Sequence, residues 1–363
     1  MRSKSALVGF ALAVMLGGVA TLAQRPATLD IYSIDVEGGG ATLYVSSAGE
    51  SLLIDAGNPG PRDSGRIAAI ARRAGLRQID YFLASHYHSD HVGGVAELAA
   101  QIPIAHFVDH GPEMHDEGRF RGSDAMFGSY LAARAKGQVV QVKASDRLRI
   151  AGADVNVVSS DGVLTSKPVA GTGPANPLCR DFTPQEEDRS ENARSVGVVV
   201  TFGRFSMLAL GDLTWNKEHD LVCPNNLLGH IDVYLTTHHG LNLSNPKVLV
   251  HAITPRVALM NNGPRKGAAQ EAWKTVRSTP GLEDLWQLHY SVERPPSAIL
   301  NEALPTGGPS LNVAEPFIAN LAETADHEPV YFLKVTASPD GGFVVENSRN
   351  GQRKAYPART ASK

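Results

Sequence analysis

Short apolar runs separated by polar turns predict β-strands throughout the first half of the chain. Between the third and fourth runs, Ile67, Ile70 and Ala71 recur at helical spacing, which predicts an amphipathic helix with one apolar face. Two more helices are predicted at 92–101 and 124–136. The strands predicted in this half are 29–36, 41–46, 51–55, 80–84, 104–108, 138–142, 147–150 and 154–159.

The second half repeats this alternation. Its predicted strands are 196–202, 205–210, 231–236, 257–260 and 285–289, and its predicted helices are 214–222, 246–253 and 268–278. A terminal hairpin is predicted at 331–337 and 342–346, a connector at 294–316 and a polar, frayed tail at 349–363. Two similar halves, each a mixed sheet with helices on its outer face, predict an α/β fold with a four-layer αββα sandwich.

One irregular stretch, 160–194, interrupts the pattern because it is rich in proline, glycine and charge and has no periodicity. A loop of this length inside a compact domain is usually functional. It is therefore predicted to form one wall of an active-site cleft.

Four metal-ligand side chains stand in an H-x-H-x-D-H segment directly after an apolar run. In an extended backbone, residues i and i+2 point the same way, so His86 and His88 can bind one ion. A turn at Ser89 would direct Asp90 and His91 towards a second ion. The segment predicts a dinuclear metal centre, and the alternative is a polar loop that contains histidines by chance.

Two later strands also end in ligand-type residues. The strand at 205–210 leads to Asp212, which could bridge two ions or could cap a helix that begins near Thr214. The strand at 231–236 leads to His238 and His239, and spacing does not choose between these two.

This order of motifs resembles the metallo-β-lactamase superfamily of dinuclear hydrolases. A narrower resemblance, over about 29–290, is to the hydrolase domain of ComEC-type DNA-uptake channels. It rests on the segments 34–43, 53–57, 190–195 and 238–240 in addition to the histidine motif. The resemblance implies the metallo-β-lactamase sandwich and two divalent ions held by His86, His88, Asp90, His91, Asp212 and one of His238 or His239.

The chain departs from this family at three places. Relatives tend to have Asp where this chain has Gly40, and 261–267 replaces a late Gly-His-Pro. The usual middle histidine is absent from 152–211, so His110 is a candidate ligand or substrate contact, with a solvent-facing loop histidine as the alternative. Asn192 and Lys266 are further candidate substrate contacts.

The N-terminus predicts export. Arg2 and Lys4 precede the uncharged apolar run 6–23, which ends in small residues suited to a signal peptidase, while an uncleaved anchor is the alternative. In an oxidising compartment the two cysteines, Cys179 and Cys223, predict a disulfide, against the alternative of two unpaired thiols. The predicted organisation is a signal peptide at 1–24, a hydrolase domain at 25–290, and a connector, hairpin and tail of the same domain at 291–363.

Charge argues against binding to long duplex nucleic acid. The formal net charge of −3 becomes −5 once Arg2 and Lys4 are removed, and no basic stripe is visible in the sequence. A small-molecule or nucleotide substrate is therefore expected, with no stable duplex complex and no membrane contact beyond an uncleaved anchor.

Two ions sharing a hydroxide would hydrolyse an electrophilic phosphorus or carbonyl centre. Zinc suits the histidine-rich set best, with manganese or iron as alternatives because carboxylates contribute. Asp90, His238 and His239 are the predicted catalytic residues, the histidine that is not a ligand protonating the leaving group. The expected substrate is a phosphodiester in nucleotides or single strands; the alternatives are a lactamase or lactonase acting on carbonyls and a non-catalytic metal-binding module.

Overall fold

The computed structural model describes residues 27–115, 123–150, 152–169, 173–297, 306–324, 327 and 330–359. The strands are β1 (Leu29–Ile34), β2 (Thr42–Ser46), β3 (Ser51–Ile54), β4 (Ile79–Leu83), β5 (Ile104–Asp109), β6 (Gln138–Gln141), β7 (Arg147–Ile150), β8 (Ala153–Ser160), β9 (Val163–Leu164), β10 (Gly197–Phe202), β11 (Phe205–Ala209), β12 (Val233–Leu235), β13 (Val257–Met260), β14 (Asp284–His289), β15 (Ile318–Asn320), β16 (Phe332–Ala337), β17 (Phe343–Asn347) and β18 (Arg353–Tyr356). The α-helices are α1 (Pro61–Arg73), α2 (Ser89–Val92), α3 (Val95–Gln101), α4 (Ser123–Arg134), α5 (Trp215–Asp220), α6 (Lys247–Ile253) and α7 (Gln270–Arg277). Short 3₁₀ helices lie at Pro177–Asp181, Glu191–Arg194, Thr237–Gly240, Pro309–Leu311 and Glu315–Phe317.

Two mixed sheets form the centre of the molecule. The first has the order β18-β17-β16-β1-β2-β3-β4-β5-β6, and the second has the order β15-β14-β13-β12-β11-β10-β8-β7, with β9 paired to β8. An apolar core that includes Phe205, Trp286 and Val335 fills the space between them. Helices cover both outer faces, as shown by Ile67 of α1 in one outer core and Val248 of α6 in the other. The predicted four-layer αββα sandwich is confirmed.

The C-terminal tail differs from the prediction. Instead of fraying, β18 pairs antiparallel with β17, and the hydroxyl of the buried Tyr356 donates a hydrogen bond to Asp284 Oδ2 at 2.7 Å. Residues 360–363 lie outside the described residues. Because β16 pairs with β1, the C-terminal strands extend the first sheet. β15 was not predicted, since three residues are too few to show a period.

The segment predicted to be a signal peptide, 1–24, also lies outside the described residues. Among the residues that are described, no helix has the length and apolar character needed to cross a membrane.

Candidate metal centre

The histidine motif lies where β4 ends and α2 begins. The backbone of His88 is extended (φ −71°, ψ 153°), so His86 and His88 project together, and His86 Nε2 lies 3.0 Å from His88 Nδ1. The predicted turn at Ser89 is the first turn of α2, which carries Asp90 and the buried His91.

Asp212 follows β11 and is buried beneath the histidines. Its backbone N–H donates to Ser195 Oγ at 3.2 Å, which fixes the turn. The residue at the N-terminal boundary of α5 is Thr214, so the alternative role of Asp212 as a helix cap is not adopted. Its carboxylate is therefore available to the centre.

The pair His238 and His239 follows β12 in an unusual backbone conformation. Both residues are left-handed, with φ of 55° and 56°, and Gly240 continues at φ 79°. Such a conformation costs about 1–3 kcal/mol per residue outside glycine and is concentrated at functional sites. The consequence is that both imidazoles point to the same carboxylate.

Four histidines surround the Asp212 carboxylate. The Nε2 atoms of His91 and His238 each lie 3.3 Å from Asp212 Oδ2, and His86 Nε2 lies 3.8 Å from the same oxygen. On the other side, His239 Nε2 lies 3.4 Å from Asp212 Oδ1. The structure thus brings both His238 and His239 to Asp212, at different oxygens.

Asp90 completes a group of four with His91, Asp212 and His239. Asp90 Oδ2 lies 3.2 Å from His91 Nε2 and 3.3 Å from His239 Nε2, and one ligand atom from each of the four lies within 4.8 Å of the others. Ligand atoms around a tetrahedral zinc ion are separated by about 3.3 Å, given bonds of about 2.0–2.2 Å. The buried Asp212 Oδ1, moreover, makes no hydrogen bond. The group fits a divalent ion.

Electrostatics favour ligand chemistry at His86, His238 and Asp90. Burial alone would lower the pKa of His91, but Asp212, Asp90 and Asp55 outweigh it and hold that pKa well above its ordinary value, so an ion would have to displace a proton from His91. Burial holds the pKa of His86 well below its ordinary value and lowers the pKa of His238 to about 4, so both rings are neutral and keep a lone pair. Burial alone would raise the pKa of Asp90, but Lys266 and His91 outweigh it and hold that pKa well below the usual range. A neutral His238 is suited to binding an ion and poorly suited to protonating a leaving group.

Asp55, at the end of β3, was not among the predicted site residues. Its Oδ2 lies 2.7 Å from His91 Nδ1, and both of its oxygens accept hydrogen bonds from Ser85 at 2.8 Å. Ser85 Oγ also lies 3.0 Å from His86 Nδ1. Asp55 therefore orients His91 directly and His86 through Ser85. A signal was present, because a lone Asp follows an apolar strand in the 53–57 turn.

Gly40 explains one departure from the family pattern. A Cβ at this position would lie 2.8 Å from both Asp55 Oδ2 and His91 Nδ1, closer than real Cβ contacts allow. The absence of a side chain at Gly40 therefore makes room for the Asp55–His91 pair.

The 261–267 segment supplies two contacts to the centre. Asn261 Nδ2 lies 3.3 Å from His239 Nδ1, and Lys266 forms a close ion pair with Asp90. The Lys266 side chain is 30% exposed, so it lies at the mouth of the centre. Lys266, a predicted site residue, therefore lies beside Asp90, whereas Asn261 was not predicted because the family pattern has a histidine in this segment.

Two other candidates lie away from the ligand group. His110 is buried, and its Nε2 lies 3.1 Å from Glu191 Oε2, so it is neither at the centre nor facing solvent. The backbone N–H of Asn192 donates a hydrogen bond to Ser190 Oγ, and among the described contacts Asn192 makes no hydrogen bond to a predicted metal-ligand residue. Glu191 also accepts a hydrogen bond from the backbone N–H of Tyr87 at 3.0 Å, between the first two histidines.

The end of the 160–194 stretch therefore packs against the centre, through Glu191 and the neighbouring Ser195. Its middle part is joined to the segment that follows α5 by the predicted disulfide, which is confirmed between Cys179 and Cys223.

Residues 35–176 match the family model described as "Metallo-beta-lactamase superfamily". The chain is 23% identical over 226 residues to "Competence protein ComA" of Neisseria gonorrhoeae, covering 62% of this chain and 26% of that protein. It is also 23% identical over 239 residues to "Recombination protein 2" of Haemophilus influenzae, covering 65% and 24%. The chain thus spans about a quarter of the length of the curated relatives it matches.

Solved structures show low-scoring similarity. The metallo-β-lactamase fold protein YhfI from Bacillus subtilis aligns with 12% identity and a TM-score of 0.43 over 71% of this chain and 95% of that chain. CmlA, a diiron β-hydroxylase from Streptomyces venezuelae, aligns with 15% identity and a TM-score of 0.38 over 71% and 48%.

Proposed function

The chain carries a domain of the metallo-β-lactamase superfamily, and from this premise we propose that the protein is a metal-dependent hydrolase of phosphodiesters in nucleotides or single-stranded nucleic acid. The observation that carries the proposal is the convergence of four histidines on Asp212, beside an Asp90 that is paired with Lys266. Two divalent ions bound there would act as Lewis acids and lower the pKa of a bound water to near neutrality.

The ligand atoms divide into two sets that share Asp212. Asp90, His91, Asp212 and His239 would hold one ion. The second would be held by His86 and His88 with Asp212 Oδ2, and His238 would complete its set. His238 would then fill the ligand position that a middle histidine has in relatives, which carry it in the stretch corresponding to 152–211, where this chain has none. Zinc is the preferred ion because imidazole predominates, with manganese or iron as alternatives.

The exposed side of the centre favours an anionic substrate. Lys266 and two of the ligand residues, His88 and Asp90, are partly exposed. The remaining ligand residues are buried. Once Asp90 binds an ion, the Lys266 ammonium can donate to a non-bridging oxygen of a phosphodiester and stabilise the charge that develops there. The names of the curated relatives, a competence protein and a recombination protein, also favour a nucleic-acid substrate.

Charge favours short or single-stranded substrates. The chain is mildly acidic, and tight binding to a duplex needs many phosphate contacts from lysine and arginine. Recognition would therefore reside in the centre itself, so turnover should depend weakly on salt and strongly on metal.

Export belongs to the proposal as well. The N-terminal pattern of charge and apolar residues and the disulfide suit a periplasmic or secreted protein whose mature chain begins near Gln24. Mass spectrometry of the exported protein gives the first residue directly, and an intact N-terminus would favour the uncleaved anchor.

The decisive assay is a substrate panel on metal-loaded protein. It includes a chromogenic phosphodiester, a labelled single-stranded oligonucleotide, its duplex, a β-lactam and a lactone. We expect phosphodiester cleavage that Asp212→Asn abolishes and for which Lys266→Met raises KM, whereas the matched variant of its exposed neighbour, Arg265→Met, does not. Hydrolysis of the β-lactam or lactone without phosphodiesterase activity would overturn the substrate assignment, and bound metal with no hydrolysis would favour a binding module.

A further inference from the structure

A second group of ligand-type side chains lies outside the centre described above. Asp35 and Glu37 follow β1, His289 is the last residue of β14, and His327 lies between β15 and β16. One ligand atom from each lies within 4.8 Å of the others, and all four side chains are at least nine-tenths buried. We propose that Asp35, Glu37, His289 and His327 form a further, structural site for a divalent cation, best suited to zinc.

The strongest evidence is the contact between Glu37 and His289. His289 Nδ1 lies 3.2 Å from the backbone carbonyl of Tyr290, which can only accept, so Nδ1 carries a proton. His289 Nε2 lies 3.4 Å from Glu37 Oε2, and neither of these buried atoms has a hydrogen-bond partner. Such a buried pair is costly unless a positive charge, either a second ring proton or a metal ion, lies between its two atoms.

His327 repeats this conflict. Its Nε2 lies 2.9 Å from an Arg66 guanidinium nitrogen and 2.8 Å from Asn320 Nδ2, and both of these groups can only donate. The same nitrogen lies 2.7 Å from Glu37 Oε1 and 3.7 Å from Asp35 Oδ2. An ion bound at His327 Nε2 would therefore replace the contacts with Arg66 and Asn320 and move Glu37 Oε1 slightly away.

Charge is also incomplete in this cluster. Arg66 donates to Glu37 Oε1 at 2.9 Å but contacts Asp35 through its backbone carbonyl, at 3.2 Å. These two bonds therefore place the guanidinium against the carboxylate of Glu37 and not against that of Asp35. Arg66 contacts Oε1 of Glu37, which leaves Oε2 and the facing His289 Nε2 for an ion.

The ligand set and its burial indicate the type of site. Two imidazole nitrogens and two carboxylate oxygens suit tetrahedral zinc, and a closed set of four protein ligands is typical of structural rather than catalytic sites. The ion would join β1 of the first sheet to β14 of the second and would hold His327 against both. The effect would be mechanical, so hydrolysis would not require this ion.

The test counts ions in the full chain after chelation, reloading with Zn²⁺ and removal of excess metal. His289→Gln should lower the count by one ion and keep hydrolysis, whereas Asp90→Asn with Asp212→Asn should abolish hydrolysis and still retain one ion. His106→Gln is the matched control, because this half-buried histidine bonds a backbone carbonyl outside both groups and should leave the count unchanged.

A second measurement covers the case in which His289→Gln fails to fold. Anomalous diffraction from wild-type crystals at the zinc edge should show a peak between Glu37 and His289. An unchanged count in folded His289→Gln protein, or anomalous peaks confined to the first centre, would overturn the site. Failure of the proposed hydrolysis would leave this ion count unaffected, so the two proposals fail separately.

Discussion

Replacing Asp55 by Asn tests whether the residues behind the ligands control the metal centre. Asp55 Oδ2 lies 2.7 Å from His91 Nδ1, so the carboxylate holds a proton on Nδ1 and leaves Nε2, which faces Asp90 and Asp212, as the nitrogen that would bind an ion. The side chain of Asn has nearly the same shape, and its carbonyl oxygen would still accept from the Ser85 N–H. Its amide group would then face His91 and present an N–H in place of the carboxylate oxygen. The imidazole proton would then move to Nε2 and remove the lone pair from the ligand position.

Loss of such a partner typically lowers metal affinity by about 10–100-fold, which is about 1.4–2.7 kcal/mol. The upper end is expected because the bond is buried and charge-assisted, and because Asp55 also anchors Ser85, which contacts His86.

Competition with a chromophoric chelator measures the affinity of the weaker and tighter ions separately. Asp30→Asn is the control, since Asp30 pairs with Lys334 on the same sheet at a partly exposed position away from the centre. We expect the control to bind metal as wild type does. A folded Asp55→Asn protein whose affinity stays within about twofold of wild type would refute the argument that Asp55 sets the His91 tautomer.

Gly40→Ala should destabilise the fold by about 1–3 kcal/mol and weaken metal binding, because the added methyl overlaps the Asp55–His91 pair, whereas Gly65→Ala in α1 meets open space and should not; thermal unfolding and chelator titration check both. Replacing both Cys179 and Cys223 by Ser should cost on the order of 4 kcal/mol of unfolding free energy, from loop closure over a separation of 44 residues, and equal denaturant midpoints would contradict it. Burial raises the pKa of Glu218 from 4.5 to about 8, so its contribution to stability is complete below about pH 4.5 and is lost as pH rises through about 8; Glu218→Gln should flatten that part of the stability–pH curve, and an unchanged slope would contradict it.

The architecture and the types of ligand residue could be predicted from local sequence patterns. Strand and helix periods are local properties, so most predicted elements appear within one or two residues of their observed ends, from β2 to β13. The H-x-H-x-D-H segment could be interpreted without a structure because an extended backbone followed by one turn fixes where its side chains point. The disulfide could be predicted because the chain has only two cysteines and its N-terminal pattern predicts export.

Only the tertiary structure decided which residues meet. The left-handed backbone at 238–239 brings both histidines to Asp212, and no periodicity encodes that conformation. Asp55 reaches His91 because β3 and β4 are adjacent parallel strands of the first sheet, and Glu37 reaches His289 because the two sheets pack face to face. Likewise β18 is held by pairing with β17 and by burial of Tyr356, although its own sequence is polar. Contacts of this kind depend on sheet order and packing, which involve residues far apart in the chain, and local pattern carries no information about them.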